Sequence, residues 1–376
     1  MATTQSSLGI DFSDEKFINP QPTETQVQDL VSLLGKAFEQ PLDFPRLRES
    51  VFPGDKLVVA LHADLPQPQT IVRAIAENLE ALEFDPADVS YLTAVDIPSA
   101  ADDWPKILAH DPNDEQGVAY IAANLEGQPV LVNRVLFEAD VILPVCNATA
   151  GAGKNEDCIY PRFSATETKL RYRDEKNSAN SRAMEIETAN NVLGVFQSLQ
   201  IVSSPGCQIC EAFFGRKDLV EQEASEKSES LWTVDRIDKA DAVVATIESP
   251  GSRQNWDHVF QAIISSSRAA TDCNNLVILC ELAKKPNKRV QAMMQLQFEM
   301  DPEAVNRVLK KASDAEKEVA EIMREKTVYL KSSLSESVVE GLGIGFIKSN
   351  DELHRLLDRF DSAVLLRDAQ FCRVQG

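Results

Sequence analysis

The stretch PGDKLVVALHADLPQPQTIVRAIAENLEAL (Pro53–Leu82) decides the fold class. Lys56 to Leu61 is a short apolar run bounded by turn residues, the pattern of a buried strand. Pro66 and Pro68 mark a turn, because each fixes its own φ and lacks an N–H to donate. From Thr70 to Leu79, Ile71, Ile75 and Leu79 recur at helical spacing, with Val72 and Ala76 beside them. VSYLTAV (Val89–Val95) supplies a second strand. Strand, loop, helix and strand in succession read as an α/β fold.

The same grammar extends in both directions. Upstream, a lead-in holds one helix around Glu24–Phe38. Downstream, Pro129–Asn133 and Ala139–Val145 are predicted strands, and the second opens into the small-residue loop CNATAGAGKNEDCIYP (Cys146–Pro161). A helix is expected over Ala179–Phe196. IVSSPGCQICEAFFG (Ile201–Gly215) reads as strand and turn, and Asp218–Leu231 as a charged helix. A strand entering a loop at Ser249–Gly251, a helix over Asn255–Ala270, the strand Leu276–Leu282 and a charged helix from Pro302 to about Glu325 repeat the pattern. TVYLKSSL is a strand, Asp351–Phe360 a helix and SAVLL a last strand. The boundary falls near Asp235–Asp241. This gives an N-terminal α/β domain over 1–238 and a C-terminal α/β domain over 239–361, with residues from about 362 to 376 crossing back to the first.

Composition narrows the function classes. The 376 residues are long enough for two or three cores. A net charge of −21 argues against nucleic acid and anionic membranes as partners. It leaves room for a small polar or anionic ligand, since a few basic groups in a cleft outweigh the global field locally. No apolar run is long enough to span a bilayer, and the first residues lack the features of a secretory signal. Seven scattered cysteines, an odd number in a long chain, fit a reduced cytoplasmic protein better than a disulfide scaffold. Oligomeric state is not readable.

Four places carry residues capable of chemistry. The segment AHDPNDEQG (Ala109–Gly117) holds His110 among Asp111, Asp114 and Pro112. It is either a surface turn in which His110 pairs with a neighbouring aspartate, or a rigid mount for an acid/base imidazole tuned by a carboxylate. The loop Cys146–Pro161 follows a buried strand, where open α/β sheets place ligands. It contains Asn147, Gly151, Gly153, Lys154 and Asp157, but neither the P-loop nor the GxGxxG spacing, and a plain connector competes with a ligand loop. His62 ends the first strand and faces the loop HADLPQP, which carries Asp64; for this histidine a cleft role and a cap or edge role are both open. His258 and Gln261 lie three apart on one predicted helix, so they share a face. The CQIC pair, Cys207 and Cys210, has metal or redox spacing but no second half, and reads as small buried residues. His354 is read as a solvated surface residue.

Several landmarks arrive in the order of a known family. PGDKLVVALHADLPQP is similar to an early strand and its proline-rich loop. HDPND matches a segment holding a catalytic histidine. GQPVLVNRVLFEADVIL is similar to two following strands, TAGAGKNEDCIYP to a glycine-rich loop ending in proline, and ESPGSRQNWDHVFQAIISSSRAA to the helix that opens the second domain. Across Phe52–Ala363 the chain resembles the nickel-dependent lactate racemases and their 2-hydroxy-acid racemase and epimerase relatives. The resemblance implies two α/β domains with an interdomain cleft. It also implies a nickel pincer nucleotide tethered through a lysine, and two histidines that exchange the substrate hydroxyl proton.

The departures from the family pattern are specific. The substrate arginine falls at Leu65, the second catalytic histidine at Asn147 and the tethering lysine at Asp157, with Lys154 three residues away. No histidine stands in Lys169–Asn177, where a nickel ligand is expected. The family's tyrosine, glutamine and lysine become Phe260, Gln261 and Ile264. Asparagine takes no proton near neutral pH and aspartate cannot form an amine-derived tether. The expectation is a divergent lactate-racemase-like protein whose cofactor is unknown. Its catalytic set would be His110, Asp111, Asp114 and Gln261. Its cofactor-side set would be Lys154, Asp157, Asn147, Gly151 and Gly153, and its substrate contacts His62, Asp64, Asn133 and His258. It acts either as a racemase or epimerase on a small 2-hydroxy acid with altered cofactor use, or as a non-catalytic binding or regulatory protein.

Overall fold

The computed structural model describes residues 8–21, 29–95, 97, 105–124, 126–148, 157–173, 179–249, 251–298, 303, 308 and 312–375. They form two compact units. The N-terminal unit comprises Gln26–Ser203 and Gln208–Ser228, and the C-terminal unit comprises Met1–Thr25, Ser204–Cys207 and Glu229–Gly376.

The N-terminal unit is built on a six-stranded sheet in the order Ile107–Ala109, Val89–Thr93, Leu57–Leu61, Val141–Ala148, Gln197–Ser204, Gln208–Arg216. Leu57–Leu61 pairs in parallel with Val89–Thr93 on one side and Val141–Val145 on the other. All five of its residues are buried, as a central strand covered on both faces requires. Alternation then divides them. Leu57, Val59 and Leu61 join the core under helices Leu30–Glu39 and Pro68–Ala81, while Val58 and Ala60 face a second core with Leu92, Ile142 and Phe163. Pro68 opens its helix at the first turn, where a missing N–H costs nothing. Asn78 fixes that helix against its neighbour by donating to Val31 O at 3.0 Å. A hairpin of Val118–Ala123 and Pro129–Asn133 lies outside the sheet.

The C-terminal unit has its own six-stranded parallel sheet, in the order Phe17–Ile18, Ala363–Leu366, Ala242–Thr246, Asn275–Leu279, Thr327–Lys331, Gly345–Phe346. Val243, Ala245, Leu276 and Ile278 face helices Trp256–Ala269 and Asp314–Glu325, and Val244 and Val277 face helix Asn350–Leu357. Helix Asp314–Glu325 starts at a capping box in which Ser313 and Glu316 satisfy each other's backbone N–H. Asp368 is buried and adopts φ 48°. Its carboxylate accepts from the N–H groups of Gly206 (2.8 Å), Cys207 (3.1 Å) and Glu248 (2.8 Å), which binds Ser204–Cys207 into this unit. Arg367 forms a two-point pair with Glu248 at 2.7 Å.

The α/β class stands, and three readings are adjusted. Contacts put the last crossing between units at Glu229 rather than near 238. Residues 362–376 stay with the C-terminal unit, because Ala363–Leu366 is hydrogen-bonded between Phe17–Ile18 and Ala242–Thr246. The reduced-thiol expectation meets an exception at Cys146 and Cys158, which are joined. Cys207 and Cys210 are not joined in a disulfide. No helix among the described residues is long and apolar enough to cross a membrane.

Gly215, at φ 145°, tests the packing of the sheet edge. A Cβ there would lie 2.4 Å from both the N and the O of Leu42, whose backbone bonds Phe214 O and Arg216 N. Gly215→Ala is expected to cost about 3 kcal/mol or more in chemical denaturation. Gly54→Ala, at a positive φ in open space, should cost only about 1 to 2 kcal/mol. Equal losses would mean the close approach at Leu42 does not constrain the edge.

Candidate functional site

In the N-terminal sheet the chain steps outward from Leu57–Leu61 to Val89–Thr93 and Ile107–Ala109. It then returns to the other side of Leu57–Leu61 as Val141–Ala148. Strand order therefore reverses between Leu57–Leu61 and Val141–Ala148, and open α/β sheets bind ligands over the carboxyl ends of the strands at such a reversal. His62 follows the first of these strands, and Asn147 lies near the end of the second.

The polar side chains there form two bonded groups, one around His62 and one around Asp157, whose charge is felt at His62. His62 N donates to Val145 O at 2.9 Å, extending the ladder one residue. His62 Nδ1 accepts from the Asp64 N–H at 3.2 Å, and the Asp64 carboxylate lies 3.9 Å from it. Asn147 Nδ2 donates to Asp64 O at 3.1 Å, and Ser203 Oγ donates to Asn147 Oδ1 at 3.2 Å. Asp157 accepts from the Ile159 N–H at 2.8 Å and from Asn190 Nδ2 at 3.1 Å, and is ion-paired with Lys217. Lys217 also lies 3.8 Å from Glu221, whose carboxyl is raised by burial against the opposing pull of Lys217.

His62 is the group whose chemistry this environment changes most. Burial lowers its pKa to about 4, with the Arg162 guanidinium acting in the same direction. Asp64 and Asp157 oppose the shift without reversing it. The ring is therefore neutral at pH 7. With Nδ1 accepting, its proton is on Nε2, so the residue offers one N–H donor beside a cation.

His110 is arranged differently. It is buried at the end of the edge strand, not exposed in a turn, and neither Asp111 nor Asp114 is its partner. Nδ1 accepts from Asn133 Nδ2 at 3.0 Å, and Nε2 donates to Ser164 O at 3.0 Å. The Phe163 ring stands edge-on at 5.8 Å, and burial lowers the imidazole pKa. Both ring nitrogens are thus committed within the protein. Asn133 in turn caps helix Arg134–Phe137 by accepting from the Val135 N–H. Asp111 and Asp114 build their own turns, accepting from the N–H groups of Asn113 and Gln116.

Of the residues singled out in the sequence, His62, Asp64, Asn147 and Asp157 come together, and His110 and Asn133 form a separate pair. His258 and Gln261 belong to the C-terminal unit. His258 is half-buried against Phe371 and Gln261 is exposed on the same helix. Gly151, Gly153 and Lys154 lie outside the described residues. Arg162, Asn190, Ser203 and Lys217 were not read from the sequence as site residues. Each reaches the site from a different segment, and only the position of Lys217 at a strand-to-helix junction gave any signal. A groove of about 700 Å³ lies elsewhere in this unit, at the amino end of strand Val89–Thr93, between Arg73, Glu77, Tyr91 and Lys106. Among the described residues no cluster of three or more His, Cys, Asp or Glu side chains could hold a metal ion.

No family model and no curated protein matches the chain. Among solved structures, it is similar to the lactate racemase apoprotein of Thermoanaerobacterium thermosaccharolyticum. That match has a TM-score of 0.68 and 16% identity, and covers 98% of this chain and 97% of that one. A Thermotoga maritima protein matches with a TM-score of 0.58 and 12% identity, covering 94% of this chain and all of that one. The fold is therefore lactate-racemase-like.

The depressed pKa of His62 has a thermodynamic consequence. The native state binds fewer protons here than the unfolded chain between about pH 4 and pH 6.5, so the stabilisation is complete above that window and is lost as pH falls through it. Its size is about 3 kcal/mol. His62→Gln should flatten this part of the stability-versus-pH curve, read by urea denaturation at pH 7 and pH 4.5. A slope that is unchanged in the variant would remove His62 as its source.

Proposed function

We propose that the N-terminal unit binds a small carboxylate, of the 2-hydroxy-acid class, at the crevice between His62 and Asn147. The observation that carries this reading is a neutral imidazole with its proton on Nε2, within electrostatic reach of the Arg162 guanidinium, at the carboxyl end of a sheet reversal. A cation and a neutral donor together suit a carboxylate with a vicinal hydroxyl: the charge goes to Arg162 and a ligand oxygen accepts from Nε2. The hydroxy-acid class comes from the structural likeness to a protein described as a lactate racemase.

A lysine-tethered nickel nucleotide does not fit the residues present. Where the family pattern has its tether, this chain has Asp157, whose carboxylate is taken up by Lys217, Asn190 and the Ile159 N–H. Where it has a second proton-transferring histidine, this chain has Asn147, held between Asp64 and Ser203. The favoured function is binding, with ligand recognition by His62 and Arg162 and positioning by Asn147.

A racemase or epimerase with different cofactor use is the second reading. It is favoured by the placing of a titratable ring at the sheet reversal, with His62 rather than His110 as its proton-transferring group.

Calorimetric titration with D- and L-lactate at pH 7.5 tests the first reading. Wild-type protein should bind at least one enantiomer, and His62→Gln and Arg162→Ala should each weaken binding by about tenfold or more. No heat of binding at millimolar ligand, or equal affinity in both variants, would sink it. Incubation in deuterium oxide separates the second reading: deuterium appearing at C2 of lactate means catalysis, and its absence alongside binding means recognition alone.

A further inference from the structure

We propose that Cys146 and Cys158 form a redox-reversible clasp that sets the geometry of the His62 site; this regulation rests on the carboxylate-binding reading above. The two cysteines are joined across 12 positions of sequence, with Cα atoms 6.4 Å apart. Each is the immediate neighbour of a residue in one of the two bonded groups at the site. Cys146 precedes Asn147, which holds Asp64 O and receives Ser203 Oγ. Cys158 follows Asp157, which holds Lys217 and Asn190. The bond therefore links the strand on one side of the sheet reversal to the segment that carries Arg162.

The surroundings favour a device over a general staple. The remaining five cysteines, Cys207, Cys210, Cys273, Cys280 and Cys372, take part in no disulfide, and the closely spaced Cys207 and Cys210 are not joined to each other. A chain relying on cross-links for stability pairs its cysteines throughout, whereas one disulfide among cysteines that are not cross-linked is the pattern of redox sensing. Both sulfurs are buried in an apolar cluster with Val58, Ala60, Ile142, Ile159 and Phe163. Exchange at this pair therefore requires the residues around Cys158 to move away from the sheet, and so couples the redox state to the position of Asp157.

The chemistry balances with a low-molecular-weight disulfide, such as glutathione disulfide, as the oxidant. One cysteine thiolate attacks a sulfur of that disulfide, forming a mixed disulfide and releasing the first small thiol. The second cysteine thiolate attacks the protein sulfur of the mixed disulfide and releases the second small thiol. Two protein thiols are oxidised, one small disulfide is reduced to two thiols, and the two thiol protons go to the products. Reduced glutathione runs the same steps backwards.

The test uses the full chain equilibrated in oxidised or reduced glutathione at pH 7.5. Thiols counted after denaturation should number seven in the reduced state and five in the oxidised state. Peptide mapping should place the new bond between Cys146 and Cys158. Proton–carbon NMR then follows the titration of the His62 ring, a readout that needs no ligand. The midpoint should differ between the two states by about half a pH unit or more. Cys158→Ser should reproduce the reduced state; where that variant does not fold, wild-type protein held in a phosphine reductant serves instead. A bond between other cysteines, no bond in glutathione disulfide, or the same His62 midpoint in both states overturns the clasp. A midpoint that moves while lactate binds in neither state upholds the clasp as a control on His62 and removes the carboxylate reading.

Discussion

The pairing of Leu57–Leu61 with Val141–Val145 is the constraint on which the site depends. Parallel strands share a direction, so their carboxyl ends lie side by side. The register places Leu61 opposite Val145, and the His62 N–H continues the ladder to Val145 O. That single bond brings the loop after one strand against the end of the other. Asp64 then presents its N–H to the His62 ring and its carbonyl to Asn147. A shift of one residue in this register would turn Leu57, Val59 and Leu61 away from the helices they pack on and would separate His62 from Asn147.

The two histidines of this unit show how environment divides one residue type into two roles. His110 has a partner on each nitrogen and joins the edge strand to the segment Phe163–Ser164 and to Asn133. Its imidazole acts as a rigid two-ended connector. His62 has a backbone N–H on Nδ1 and a guanidinium nearby. Burial keeps both rings neutral, and the difference lies in what is left for a ligand. The charges near His62 are arranged so that the ring stays unprotonated: Asp157 is engaged by Lys217, and Asp64 is partly exposed.

The sheet strands and most helices were legible because they carry periodic apolar residues and hard punctuation. Pro66 and Pro68 ended a strand, and Ile71, Ile75 and Leu79 drew a helix that the structure extends only slightly, to Pro68–Ala81. The α/β class and the lactate-racemase-like fold followed from that grammar and from the order of landmarks. The site was legible in part. His62 and Asp64 were named because loops after buried strands invite it, and Asn147 and Asp157 because the family resemblance puts functional positions there. Arg162 and Lys217 were not, since nothing local says which distant segment approaches a loop. His110 drew attention as a histidine among aspartates, yet its partners are Asn133 and Ser164, distant in sequence. The crossing at Ser204–Cys207 escaped notice for a related reason: it is held by the Asp368 carboxylate, a contact with no periodic signature.

Phe17–Ile18 and Ala363–Leu366 belong to the same unit although far apart in sequence, and this bears on how the molecule is assembled during synthesis. Phe17–Ile18 pairs with Ala363–Leu366, and Gln21 bonds Arg367 across 346 positions. A nascent chain emerging from the ribosome completes residues 26–203 and 208–228 before Ala363–Leu366 exists. The leading segment must wait, without its neighbour, until Ala363–Leu366 has been made. Long-range closure of this kind is entropically slow, so the edge beside Phe17 forms as a late step in the life of each molecule.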